Sequence, residues 1–139
     1  MTDMIATNRN TAILGLGATG LSVARFLSSI GKSFVFADSR VAPPRLADVR
    51  ESYPDVPVVL GPFEADLLLG FDSVIVSPGI SLQEPALVAA QQQNVKLLGD
   101  VELFLDHAKA PVILITGSNG KSTVTKLVGE MAEASGLKV

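Results

Sequence analysis

The chain has 139 residues, 47% of them hydrophobic, and its 11 Lys+Arg against 14 Asp+Glu leave a net charge of −3. That balance, with no basic run, argues against nucleic-acid binding through a basic face, and the lack of cysteine excludes disulfides, thiolate metal sites and thiol catalysis. No apolar run approaches the roughly 18 to 20 residues of a membrane span, and Asp3, Asn8, Arg9 and Asn10 interrupt the N-terminal stretch where a signal peptide would be apolar, so a cytoplasmic protein without a membrane partner is expected.

Apolar, β-rich runs at residues 11–16, 33–37, 56–60, 73–77, 95–98 and 112–116 alternate with helical or loop segments. Alternation of this kind predicts a parallel sheet with right-handed crossovers. Residues 19–30 carry Leu21, Ala24, Leu27 and Ile30 at helical spacing, with Gly31 placed to stop the helix. Pro43 and Pro44 force an extended turn, because each disfavours helix in its predecessor, and a short helix over 46–52 follows. Pro85 suits the first turn of a helix reaching about residue 93, and 101–107 reads as one more short helix. Glu64, Asp66 and Asp72 read as solvated turn charges.

Two glycine-rich turns carry the chemistry. Gly15-Leu16-Gly17-Ala18-Thr19-Gly20 follows a strand, opens a helix and is answered by Asp38 at the end of the next strand, which is the setting of a dinucleotide fingerprint. The same helix start would serve any pyrophosphate-bearing nucleotide, so an NAD-binding oxidoreductase or sensor domain stands as the alternative. The second turn, Thr116-Gly117-Ser118-Asn119-Gly120-Lys121-Ser122-Thr123, sits between an apolar run and a helical pattern that ends near Gly136, the context of a P-loop. Gly117 to Thr123 would wrap ATP phosphates with backbone N–H groups, Lys121 would place charge on the transferring phosphoryl, and the Ser122 hydroxyl would ligate Mg²⁺. Ile115 stands where the strict pattern has its first glycine, so the match is to the shorter G-x-x-G-K-[ST] core. This turn lies so near the C-terminus that its domain is expected to be incomplete. A redox domain seldom carries a lysine-bearing phosphate loop, which favours an ATP-using enzyme acting on a nucleotide-linked substrate.

Five motifs in order resemble the Mur ligases of peptidoglycan synthesis: Gly15 to Gly20; Asp38-Ser39-Arg40 before the Pro-Pro turn; Ser77-Pro78-Gly79-Ile80; Gly99-Asp100-Val101-Glu102-Leu103-Phe104; and Thr116 to Thr123 running on into Val124-Thr125-Lys126-Leu127. The likeness is nearest to the D-glutamate-adding branch. It implies an ATP-dependent amide ligation: the carboxylate of UDP-N-acetylmuramoyl-L-alanine is phosphorylated, and the amine of D-glutamate attacks the acyl phosphate. It also implies that Gly15, Gly17, Ala18, Thr19 and Gly20 bind the UDP substrate, with Ala18 and Thr19 at the pyrophosphate, that Asp38, Ser39 and Arg40 meet the uracil and ribose, and that Gly79 lets backbone approach the ligand. Arg40 is open to a second reading as a solvated loop charge. Residues selecting D-glutamate, and the acidic second metal ligand, lie beyond the matched motifs, so this chain is expected to bind the UDP substrate without turning it over.

The expected architecture is α/β: a Rossmann-like domain of five parallel strands over residues 1–99, a linker over 100–110, and from 111 to 139 the first strand, P-loop and helix of a P-loop ATPase-like domain. His107, the only histidine, reads as a surface or capping residue. Asp100 and Glu102 would share a face on a strand but diverge on a helix, so they are a poor metal pair.

Overall fold

The computed structural model describes residues 11–139, in two compact units that divide between His107 and Ala108. In the first unit five strands form one parallel sheet in the order β3-β2-β1-β4-β5. They are β1 (Thr11–Leu14), β2 (Phe34–Asp38), β3 (Val58–Leu60), β4 (Ser73–Val76) and β5 (Lys96–Leu98). The chain runs from β1 outward to β3, returns, and continues on the other side through β4, so strand order reverses beside β1.

Residues alternate between the two faces with the period of two that a pleated strand dictates. Ala12, Leu14, Val35, Ala37, Val74 and Val76 point to one face. There they meet Leu68 of α3 (Ala65–Leu68) and Ala86, Leu87 and Ala90 of α4 (Pro85–Gln92). Ile13, Phe34, Phe36 and Ile75 point to the other face. Against them pack Val23, Ala24 and Leu27 of α1 (Ala18–Ser29), Val49 of α2 (Leu46–Ser52) and Leu103 of α5 (Asp100–His107). The central strands β1 and β2, covered on both faces, are buried along their whole length and apolar except at Thr11 and Asp38. The one buried hydroxyl of β1, on Thr11, is paired with the Ser73 hydroxyl at 3.1 Å.

Helix ends follow local chemistry. Beyond α1 the Gly31 amide donates to Ser28 and the Lys32 amide to the Leu27 carbonyl, with Gly31 at φ +69°, the left-handed stop that its position predicts. Asn94, at φ 65°, ends α4 by the same pair of bonds. Where the sequence pattern predicts only solvated turn charges, the chain forms the single turn α3. The linker expected over 100–110 is likewise not a separate segment. Instead α5 occupies most of that segment and belongs to the first unit, because Leu103 is buried and the Phe26 and His107 rings meet edge to face at 5.0 Å.

The second unit is built around α6 (Lys121–Ala134). The strand expected at 112–116 has no ladder partner among the described residues, and a β-strand exists only through its pairing. Ile113 and Leu114 are exposed there. No helix of the described residues is long and apolar enough to cross a membrane.

Candidate nucleotide cleft

In an open parallel sheet the crevice lies at the carboxyl ends of the strands where their order reverses. Three loops meet at that point. After β1 the Gly15 amide donates to the Ala37 carbonyl at 2.8 Å, and after β4 the Ser77 amide donates to the Leu14 carbonyl at 3.0 Å, so β1 is pinned to both neighbours just where the chain turns. The cavity between the loops, about 450 Å³, is lined by Gly15, Gly17, Ala18 and Thr19 from the first, Asp38, Ser39 and Arg40 from the second, and Ser77 to Ile80 from the third.

The glycines differ in what requires them. A Cβ at Gly20 would stand 2.0 Å from the Gly15 carbonyl oxygen, and one at Gly15, whose φ is +99°, would stand 2.7 Å from Ser77 Oγ. Gly20 does not line the cavity; it lets α1 lie against β1, so its place in the predicted ligand set is a packing role. At Gly17 and Gly79 a Cβ would meet no protein atom within 4 Å. Gly17 starts α1 with no side chain capping the helix and no acidic residue in its first turn, leaving the positive end of the helix dipole facing the cavity.

Asp38 is the most constrained polar group of the cleft, at 2% exposure. Its Oδ2 accepts from the Leu16 amide at 2.8 Å and from Arg40 Nη2 at 2.7 Å, while Oδ1 accepts from the Arg40 amide at 3.0 Å and Arg40 Nε at 2.8 Å. Burial pushes its pKa up, but the Arg40 guanidinium and the two amides outweigh burial and hold the carboxyl at about 2. Arg40 is thus anchored by a two-pronged ion pair although its side chain is 54% exposed.

Ser77, Pro78 and Ile80 line the cavity although the sequence reading assigned only Gly79 from that segment. The signal that points to them is topological: they follow the strand paired to β1 on the side away from β2.

In the second unit, Thr116 to Thr123 form an exposed turn into α6. Lys121 Nζ donates to the Gly117 carbonyl, so the ammonium is folded back on its own loop, and Ser122 and Thr123 fall in the first helical turn. Among the described residues no group of three His, Cys, Asp or Glu side chains could hold a metal ion. Asp100 and Glu102 act locally at the start of α5: Glu102 Oε2 accepts the Gly99 amide at 2.8 Å and Asp100 Oδ1 accepts the Val101 amide. His107 Nδ1 lies 2.9 Å from the Leu103 carbonyl oxygen.

A five-stranded parallel sheet with a glycine turn and a distal acid at its reversal point defines the class of nucleotide-binding α/β domains. Within that class the chain belongs to the family described as Mur ligase MurD-like, N-terminal domain, whose model matches residues 9–99. Over 137 residues it is 52% identical to the UDP-N-acetylmuramoylalanine–D-glutamate ligase of Marinobacter nauticus, covering 99% of this chain and 31% of that protein. The enzyme of the same name from Nitrosococcus oceani is 52% identical over 129 residues, 93% of this chain and 28% of the relative. The chain therefore spans about a third of the length of the curated relatives it matches. Among solved structures, UDP-N-acetylmuramate-alanine ligase MurC from Thermotoga maritima superposes with a TM-score of 0.57 at 26% identity, over 89% of this chain and 29% of that one. A pseudomurein peptide ligase type C from Methanothermus fervidus shares the fold, with a TM-score of 0.57 at 24% identity over 93% and 27% of the two chains.

Proposed function

We propose that the cleft holds the uridine diphosphate end of UDP-N-acetylmuramoyl-L-alanine in an ATP-dependent ligase that attaches D-glutamate to that substrate, a step of peptidoglycan synthesis. The observation that carries this reading is the union of family membership with an uncapped helix start: Gly17, Ala18 and Thr19, where α1 begins, line a cavity of about 450 Å³. The pyrophosphate sits at the start of α1, Ser39 and Arg40 flank the uridine, and the backbone at Gly79 passes close to the ligand. Space at Gly17 and Gly79 is kept for the nucleotide, since no protein atom claims it.

In this reading the first unit is the substrate-binding domain, and residues from 111 onward begin an ATP-binding domain. Lys121, now on the Gly117 carbonyl, would turn to the nucleotide phosphates, and the Ser122 hydroxyl would be one ligand of Mg²⁺. Bound Mg²⁺ supplies charge neutralisation at the transferring phosphoryl. The NAD-binding alternative is not favoured: the relatives are ligases, and the carboxylate that a dinucleotide site turns toward the ribose is here occupied by protein donors.

Calorimetry with UDP-N-acetylmuramoyl-L-alanine is the direct test. Saturable binding that UDP competes and NADH does not is the expected result; no heat at millimolar ligand would sink the proposal.

A further inference from the structure

Asp38 falls where a dinucleotide fold keeps its ribose-binding acid, yet its geometry assigns it other work. A carboxylate has about four lone-pair sites, and four protein N–H groups occupy those of Asp38: the Leu16 amide, the Arg40 amide, and Nε and Nη2 of Arg40. None is left for a ribose hydroxyl unless one of these bonds breaks. The Leu16 bond spans 22 residues and ties the glycine turn after β1 to the end of β2. The Arg40 fork fixes the plane of a guanidinium that would otherwise wander at a half-exposed position, with three of its five N–H donors still unspent.

We infer that Asp38 is a positioning residue rather than a ligand of the nucleotide: it locks the Leu16 turn and the Arg40 guanidinium into one rigid clamp, and Arg40 is the member that touches the uridine. This rests on the uridine-diphosphate reading of the cleft and deepens it by saying how the site selects. A cleft organised in this way offers the ribose 2′-hydroxyl no free carboxylate and recognises the nucleotide through its diphosphate and base. Ligands whose affinity depends on a carboxylate gripping that hydroxyl, as in dinucleotide sites, find no partner here.

The test combines a ligand-free and a ligand-bound readout on the whole chain. In nitrogen-15 NMR of the free protein, the Arg40 Nε–H should give a distinct, slowly exchanging resonance that Asp38→Asn shifts or removes. By calorimetry, wild-type protein should bind UDP and 2′-deoxy-UDP within about twofold of each other, the difference of an uncontacted hydroxyl, while Asp38→Asn weakens both by the same factor of about ten or more. Arg40→Lys, which keeps the charge, loses the fork and leaves the buried carboxylate in place, should weaken both alike, and the double variant should be less impaired than the product of the two single effects. Strong preference of wild type for UDP over 2′-deoxy-UDP that vanishes in Asp38→Asn would overturn the inference, because Asp38 would then be a ribose ligand. An averaged, fast-exchanging Arg40 Nε–H in a protein that binds UDP would overturn it too and leave the functional reading intact. Failure of wild type to bind UDP at all would remove that reading and the clamp's purpose together.

Discussion

Around the cleft, single side chains and single missing side chains act through steric and electrostatic terms that can be separated. Asp38 lies at about 2 in the folded chain against an ordinary 3.8. For a carboxyl whose pKa is lowered on folding, the stabilisation is complete above the unfolded value and lost as pH falls through the folded one. The window is therefore about pH 4 down to about pH 2, and the depression corresponds to about 2 kcal/mol. Urea unfolding of wild type and Asp38→Asn should show a stability gap near pH 5 that closes toward pH 2; a gap constant across that range would count against the assignment. The glycines make the opposite contrast. Gly20→Ala drives a methyl into the Gly15 carbonyl and should destabilise by about 2 to 4 kcal/mol in denaturant titrations. Gly17→Ala adds a Cβ that meets no protein atom within 4 Å, so the fold should survive within about 1 kcal/mol while UDP affinity drops at least about tenfold, measured by calorimetry.

Among the elements, α5 is the helix its pattern predicts but lies in the first unit rather than in a linker. Helical spacing marks residues 101–107 as a helix, but nothing in that spacing says whether it joins a core or bridges two domains. Its outward side carries Val101, Phe104 and Leu105, all exposed, so counting apolar residues does not reveal which face is inside. Leu103 decides the matter at 7% exposure, a member of the same buried core as Ile13, Leu27, Phe36 and Ile75. Leu103→Ala should cost about 2 to 4 kcal/mol of the first unit's stability, seen in unfolding followed at Tyr53, whereas a linker helix would give well under 1 kcal/mol. The five strands and helices α1, α2 and α4 were legible because period and punctuation agree there: β-branched runs, Gly31, and Pro85 at a helix start. The single turn α3 was not, since four residues are too few for any period to appear.

At the level of the two units, protection should be uneven. The first has a two-sided core, while no residue of α6 is buried and Ile113, Leu114, Leu127 and Met131 are exposed. Limited proteolysis should cut between residues 108 and 120 before it reaches the sheet, and α5 should resist with the first unit. Equal protection across the chain, read by mass spectrometry of the fragments, would refute this division.

Local chemistry was enough to write down the five strands of the sheet, the helix stops, the two glycine turns and the acid at the end of β2, because backbone conformation and side-chain period are set by neighbours a few residues away. Long-range pairing settled the rest. Only the sheet order brought Ser77, Pro78 and Ile80 beside Gly15 and Gly17; only packing gave Gly20 to the helix–strand contact and Leu103 to the core; and only the folded geometry showed Asp38 filled by Leu16 and Arg40, since a carboxylate's partners are fixed by what surrounds it in space.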